Sequence, residues 1–405
     1  MQPITQRMKS LQFFNSLIES FYHIQNNMKF DLLMRQKLKM KEKEIVIVGA
    51  GIVGVTLAWY FVTYSDAEVT LLDQKQAGSG VSQHSFAWLN VSYGRPDAYQ
   101  KLRSQSLNEW RRLDAEMRGA LKIHWRGAIS WQETNAETLQ FIQSHSEQSF
   151  NVESLTKENL AKKEPLLDKA PNVVAFAGEE GAIDPIWVIQ TLLQDAIKKG
   201  VTYCPETEVS KILQNGSGQT IGVRTQDKDY VADKVVLTAG VVNKDLLQTI
   251  NIELPLASLP AIIIRFKHEK SDQFAQHIIS TPEMEIRSID SEHFLAAEDY
   301  IDDTAVNTPE LIALNALKTI QAHFNTIAPA LASSITVDHV AVGMRPIPFD
   351  DMPIVGTMND DSGLYLISMH AAVTLAPLIS RLAMQEILYE QEIPELFSYR
   401  ITRFQ

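Results

Sequence analysis

The 405-residue chain is long enough for two or three domains, and its 45% apolar and 21% charged residues are ordinary globular values. A net charge of −12 argues against nucleic acid as the main partner, because phosphate binding rests on clustered Lys and Arg. A single cysteine, Cys204, excludes an internal disulfide, a cysteine-ligated iron–sulfur cluster and a CxxC pair and fits a cytoplasmic setting, while the histidines show no metal-ligand spacing, so no metal is expected.

Residues 9–34 place Phe14, Leu17, Ile18, Phe21 and Met28 near helical spacing, and Arg35, Lys37, Lys39, Lys41 and Lys43 follow. Such a segment suits an interfacial helix making peripheral membrane contact through residues 9–43, or a partner-binding helix. A dispensable extension from an early start codon is the preferred expectation, since Met40 stands just before the first strand. Glu19 interrupts the apolar stretch and no small-residue cleavage site follows, so no secretory signal is expected.

Ile45–Val48 is apolar and β-branched, as a strand covered on both faces requires. Gly49, Gly51 and Gly54 follow at G-x-G-x-x-G spacing, then a helix over Val55–Tyr64. Each glycine has a physical task. Gly49 turns the chain, Gly51 admits a pyrophosphate to the backbone, and Gly54 lets helix and strand pack closely. A second strand, Glu68–Leu72, ends in Asp73, about 20 residues on, where the fingerprint expects a ribose-binding carboxylate that would repel a 2′-phosphate. The uncharged run Ile45–Val62 approaches the roughly 20 residues of a transmembrane helix, but its glycines and β-branched residues read as strand–turn–helix. A soluble protein is expected.

Downstream, the pattern predicts a helix over Tyr99–Met117, strands at Ile123–Trp125 and Ala128–Gln132, and a helix around Ala136–Ser146. A helix over Ile186–Lys199 closes on Gly200. Thr202–Tyr203, Glu208–Leu213 and Ile221–Thr225 read as hairpin strands, and Lys234–Thr238 as a second fully apolar strand. Ala261–His268, Glu285–Asp290 and His293–Ala297 alternate in antiparallel fashion; a helix over Pro309–Phe324 and a strand near Ile335–Gly343 follow. Leu364–Ser368 is a buried strand and Thr374–Tyr389 an amphipathic helix. Apolar strands so far apart in sequence yet fit for one parallel sheet imply a nucleotide-binding domain interrupted by insertions.

The runs IVIVGAGIVG, VTLLD, GSGVSQHS, GAIDP, DKVVLTAG, GMRPIPFDDMPIVG and GLYLISMHAAVTLAPL resemble, in order and spacing, the D-amino-acid oxidase-like family of FAD-dependent oxidoreductases. The resemblance spans about residues 43–390 and includes glycine oxidase, sarcosine and dimethylglycine oxidoreductases and D-amino-acid dehydrogenases. It implies an α/β fold: a Rossmann-like FAD-binding domain from 43–98, 172–254 and 340–392, interrupted by an antiparallel α+β substrate domain from 99–171 and 255–339. Residues 1–42 would be an extension and 393–405 a tail.

By this resemblance Gly49, Ala50, Gly51, Ile52, Val53 and Gly54 hold the pyrophosphate, and Asp73 and Gln74 the ribose. Ser79, Gly80 and Ser82 run past the phosphates, Val209 meets the adenine, and Ala239, Gly240 and Gly343 flank the cofactor. His370, Ala371, Val373 and Thr374 cover the pyrimidine side of the isoalloxazine, where this chain departs from the usual glycine-rich run. His84 aligns with a histidine that carries covalent FAD in some relatives; an ordinary loop histidine beside the cofactor is the preferred reading, and Cys204 is expected to be core. Arg345 and His370 are the candidate catalytic residues. Arg345 would grip a substrate carboxylate, the competing reading being a salt bridge to Asp350 or Asp351.

The reaction the resemblance implies is hydride transfer from the C–N carbon of a small carboxylated amine to flavin, with oxygen or another acceptor completing turnover. The alternatives are a flavin-binding subunit without chemistry and oxidation of a modified uridine on transfer RNA. Trp88, Tyr93, Trp125, Trp131, Phe294 and Tyr300 are candidates for pocket aromatics, each equally suited to core packing.

Overall fold

A computed structural model describes residues 43–93, 97–167, 169–268, 275–298, 309–332, 335–358 and 361–405. The basic N-terminal segment before Lys43 and the aromatic candidate Tyr300 lie outside these residues. Strand β1 (Glu44–Val48) buries Ile45 to Val48 completely, because neighbours flank both edges and helices or strands cover both faces. Helix α1 (Ile52–Tyr64) follows and is buried almost all round from Ile52 to Phe61, so it carries no polar stripe. Fully burying side chains such as Trp59, Tyr60 and Phe61 stabilises the fold by about 1.5–3 kcal/mol each. Strand β2 (Glu68–Leu72) completes the unit in parallel register, Val48 opposite Leu72.

The chain then leaves for α2 (Ala98–Glu116), returns through α3 (Pro185–Lys198) to β3 (Thr202–Cys204), and enters β4 (Lys234–Leu237). It departs again through β5 (Leu256–Lys267), β6 (Glu285–Ser288), β7 (His293–Glu298) and β8 (Thr336–Pro348). It ends with β9 (Ile354–Met358), β10 (Asp361–Ser368) and α4 (Ala372–Tyr389). Six strands form the first sheet in the order β9-β10-β4-β1-β2-β3, parallel except for β9. The parallel nucleotide-binding sheet read from scattered apolar strands is therefore present, with α1, α3 and α4 sharing its main core.

The second sheet has eight strands, beginning β8-β5-β7-β6 in antiparallel pairs and continuing through Ile278–Ser280, Ala128–Ser130, Val174–Ala177 and Glu153–Leu155. Its core packs on one face, with Phe266, Phe294 and Phe324 in mutual ring contact. Its other face carries Ile263, Leu295 and Ala297 against Phe86 and Trp88.

Several expectations need correction. Thr202–Cys204 is not a hairpin strand; Gly200, at φ 118°, turns the chain so that β3 pairs in parallel with β2 and widens the first sheet. Ile123–Trp125 contributes only a single bridge, His124 to Ala182. Val174–Ala177 hydrogen-bonds to Ala128–Ser130, and β8 runs unbroken across position 340, so the eight-stranded sheet draws on residues either side of 172 and of 340. The C-terminal tail, residues 393–405, packs against the rest of the chain. Leu396, Tyr399 and Ile401 are buried, and Arg400 ion-pairs with Glu386 on α4.

Candidate active site

Where the first sheet ends, the β1–α1 turn is clamped from both sides. The Gly49 N–H donates to the Leu72 carbonyl at 2.8 Å, and the Thr238 hydroxyl donates to the carbonyls of Val48 and Gly49 at 2.9 and 2.8 Å. Gly49 has φ 104°, and a Cβ there would sit 2.7 Å from Ala239 Cα, so only glycine fits. Gly51 is the N-cap of α1, with no side-chain cap and no acidic residue in the first turn. The Ile52 N–H donates to Ser82 Oγ at 3.2 Å, and the positive helix end otherwise faces the cleft, where an anion would be favoured.

A cleft with about 1900 Å³ of empty space, mouth included, opens in front of this turn. Gly49, Gly51, Ile52, Val53, Asp73, Gln74, Ser79, Gly80, Ser82, His84, Val209, Ala239, Gly240, Arg345, His370, Ala371, Val373 and Thr374 all line it. Three expected residues stand behind the wall instead. Ala50 is fully buried, its N–H donating to Asp73 Oδ2 at 2.7 Å. Gly54 packs α1 against the turn, and Gly343 lets β8 pass His84, whose Cβ lies 2.9 Å from where a Gly343 Cβ would be. Trp88 and Tyr93 line the cleft, whereas Trp131 and Phe294 belong to the core of the second sheet and Trp125 packs under Arg111.

Asp73 closes the deep end. Burial raises its pKa, opposed by the N–H groups of Lys75 and Ala50 that donate to it. His84 ends a short 3-10 turn, Val81–His84, and its pKa is lowered first by burial and then by the neighbouring His339. At the other end α4 also presents an uncapped N-terminus, with Ala371 as N-cap and no acidic residue in its first turn. The helix starts two residues earlier than Thr374, whose hydroxyl donates to the Trp88 carbonyl at 3.0 Å.

Arg345, on β8, reaches the cleft with Nη1 3.2 Å from His370 Nε2 and Nη2 donating to the Pro260 carbonyl at 3.3 Å. A guanidinium only donates, so His370 Nε2 accepts and the imidazole proton is assigned to Nδ1. Asp350, the competing partner, is occupied by Arg403 through contacts of 2.7 and 2.8 Å that hold its pKa below the usual range. Asn90, Arg103, Glu285 and Ser368 also line the cleft and were not singled out in the sequence. No local spacing marks them; only the folding of distant segments brings them together.

The residues fit a dinucleotide. Besides the helix end and the glycine cradle, residues lining this cleft carry buried polar atoms with no protein partner among the described residues, such as Asn90 Oδ1, Ser368 Oγ and Arg103 Nε. Among the described residues there is no cluster of metal ligands and no helix long and apolar enough to cross a membrane.

Known proteins share this plan. Glycine oxidase of Pseudomonas putida is 24% identical over 351 residues, covering 83% of this chain and 92% of that protein. Oxidoreductase YurR of Bacillus subtilis is 24% identical over 380 residues, covering 88% and 98%. The crystal structure of glycine oxidase from Geobacillus kaustophilus matches the fold with a TM-score of 0.77 at 18% identity, over 89% of this chain and 99% of that one. A family model described as FAD-dependent oxidoreductase, DAO, matches residues 44–386, running from the strand before the glycine turn into the helix whose N-terminus closes the cleft. A match of that extent makes this chain a member of the DAO family of FAD-dependent oxidoreductases.

Proposed function

We propose that the chain oxidises the C–N bond of a small amine or amino acid bearing a carboxylate, with FAD as the first electron acceptor and oxygen or another acceptor completing turnover. The observation that supports this most is Arg345, a guanidinium in the wall of the same cleft as the glycine turn, whose competing acidic neighbour Asp350 is taken by Arg403. A planar, permanently charged fork binds a carboxylate through two parallel hydrogen bonds and fixes its orientation as well as its position. His370, accepting from Arg345 Nη1 and holding its own proton at Nδ1, positions that fork. Ile263 and Ala297 form an apolar sheet wall that keeps water from the reacting carbon. FAD held at the glycine turn would supply a two-electron acceptor for the hydride of the substrate C–H bond; with the proton lost from the amine nitrogen this would leave an imine, which water would hydrolyse to an oxo acid and ammonia or a smaller amine.

Anaerobic mixing of the FAD-loaded protein with a panel of amino acids and N-methyl amines tests the reading. Bleaching of the flavin band by a carboxylated amine, and not by its decarboxylated counterpart, is expected. Arg345→Lys should keep its FAD and lower kcat/KM about a hundredfold, since a point charge cannot replace the fork. No bleaching by any amine, or an Arg345→Lys variant as active as the parent, would remove the proposal.

A further inference from the structure

Arg103 is a second arginine of the cleft, and no carboxylate pairs with it among the described residues. It sits on α2, lines the cleft and is 7% exposed. Its Nη1 meets only the Tyr93 carbonyl and Gln100 Oε1, both at 3.4 Å, and its buried Nε has no partner among the described residues. The guanidinium carbon lies 5.9 Å from the Tyr93 ring centroid and 5.3 Å from that of Tyr99, so two aromatic faces hold the head in place without neutralising it.

Other arginines drawn from solvent have partners. Arg112 and Arg381 share Glu109, and Arg400 pairs with Glu386. Arg287, buried, has no carboxylate in contact among the described residues, and burial lowers its pKa to about 10; its head is committed to the carbonyls of Phe86 and Ile183. Arg103 lines the cleft instead, with its buried Nε unpartnered among the described residues. A buried charge with no partner is costly, and an anionic ligand is the natural way to complete it. Tyr93, whose carbonyl Arg103 touches, lines the same cleft and is 39% exposed. Asn90, with Oδ1 unpartnered, lines the same cleft.

We propose that Arg103 receives a second carboxylate, so that the preferred substrate is an amine carrying two carboxylates, one held by Arg345 and one by Arg103. This rests on the carboxylated-amine reading above and narrows it.

The test uses the FAD-loaded full chain with glycine and sarcosine as monocarboxylates, and iminodiacetate and both enantiomers of aspartate and glutamate as dicarboxylates. The parent should favour at least one dicarboxylate, and Arg103→Gln should lower the dicarboxylate-to-monocarboxylate ratio of kcat/KM about 10- to 100-fold, the worth of a charge-assisted hydrogen bond. Arg103→Lys, which keeps the charge should the glutamine variant fold poorly, should retain part of the preference. A readout free of turnover is the perturbation of the flavin spectrum by unreactive glutarate against acetate, whose affinity ratio should fall in the same variants. Equal losses on all substrates overturn the proposal, as does a parent with no dicarboxylate preference. A weakened sulfite adduct with the substrate ratio intact would assign Arg103 to the flavin and overturn it as well. Flavin that no amine bleaches, with glutarate still bound through Arg103, would sink the oxidase reading and leave the anion site standing.

Discussion

Gly51 and Gly54 belong to one fingerprint but answer to different neighbours. A Cβ at Gly54 would fall 1.9 Å from the Gly49 carbonyl oxygen and 2.6 Å from Thr238 Oγ1, so Gly54→Ala must push α1 away from the turn. At Gly51 the nearest heavy atom would be Ser82 Oγ, at 3.3 Å. Gly54→Ala should therefore destabilise the protein by about 1–3 kcal/mol, as overpacking does. Gly51→Ala should leave stability within about 0.5 kcal/mol and weaken FAD binding at least tenfold, because its methyl group stands where a diphosphate approaches. Urea unfolding without FAD and titration with FAD check both; a Gly51→Ala protein that binds normally would refute the assignment. These glycines and Asp73 were legible in the sequence because their work is local. Asn90, Arg103, Glu285 and Ser368 were not, because each is an ordinary residue until the fold delivers it to the cleft. The same holds for Asp350, whose engagement by Arg403 joins positions far apart in the chain.

The strands and helices around the glycine turn were readable because an apolar strand, a turn and a helix follow one another without interruption. What secures α4 was not. Pro377 lacks the N–H that would bond the Val373 carbonyl, and Trp110 Nε1 on α2 donates to that carbonyl at 3.1 Å instead. Ser106, on the same face, donates to the Thr374 carbonyl at 2.7 Å. Between these helices Glu109 accepts from Tyr60 on α1 at 2.7 Å and from Arg112 at 2.6 Å, and it ion-pairs with Arg381 on α4 at 3.1 Å. Burial alone would raise the pKa of Glu109, but Arg381 and Arg112 outweigh it and hold the group below the usual range. A folded-state pKa below the unfolded one gives stability that is complete above the unfolded value, about 4.3, and is lost as pH falls through the folded value. The parent protein should lose this contribution on acidification below about pH 4. Glu109→Gln, which leaves two arginines without their carboxylate, should be weaker at pH 7 by about 3 kcal/mol and fall less steeply, so that the two proteins converge toward pH 3. Unfolding free energies measured from pH 7 to pH 3 that stay parallel would show that Glu109 carries no such linkage.

At the scale of the molecule, the interrupted plan could be inferred from apolar strands dispersed along the chain, but the membership of each insertion could not. Val174–Ala177 and β3 are short strands whose partners, Ala128–Ser130 and β2, are chosen by long-range packing and by the turn at Gly200. The consequence is a cleft with walls from both sheets: Gly51 and Asp73 at the ends of the first, Ala261, Ala297, Glu285 and Arg345 on the second. A ligand that fills such a cleft binds only the folded chain, and it stabilises by about 2.7 kcal/mol at a hundredfold excess over its Kd. FAD should therefore raise the melting temperature in a concentration-dependent way, and it should do so through both bodies at once. Hydrogen exchange locates the effect. Amides of β1 and β4 should slow when FAD is added, and those of β5 and β8 should slow with them, because Ile263 and Arg345 sit on strands that pair along their whole length. Protection confined to β1 and β4 would mean that the second sheet only borders the cofactor, and that the substrate wall formed by β5, β7 and β8 is not completed by its binding.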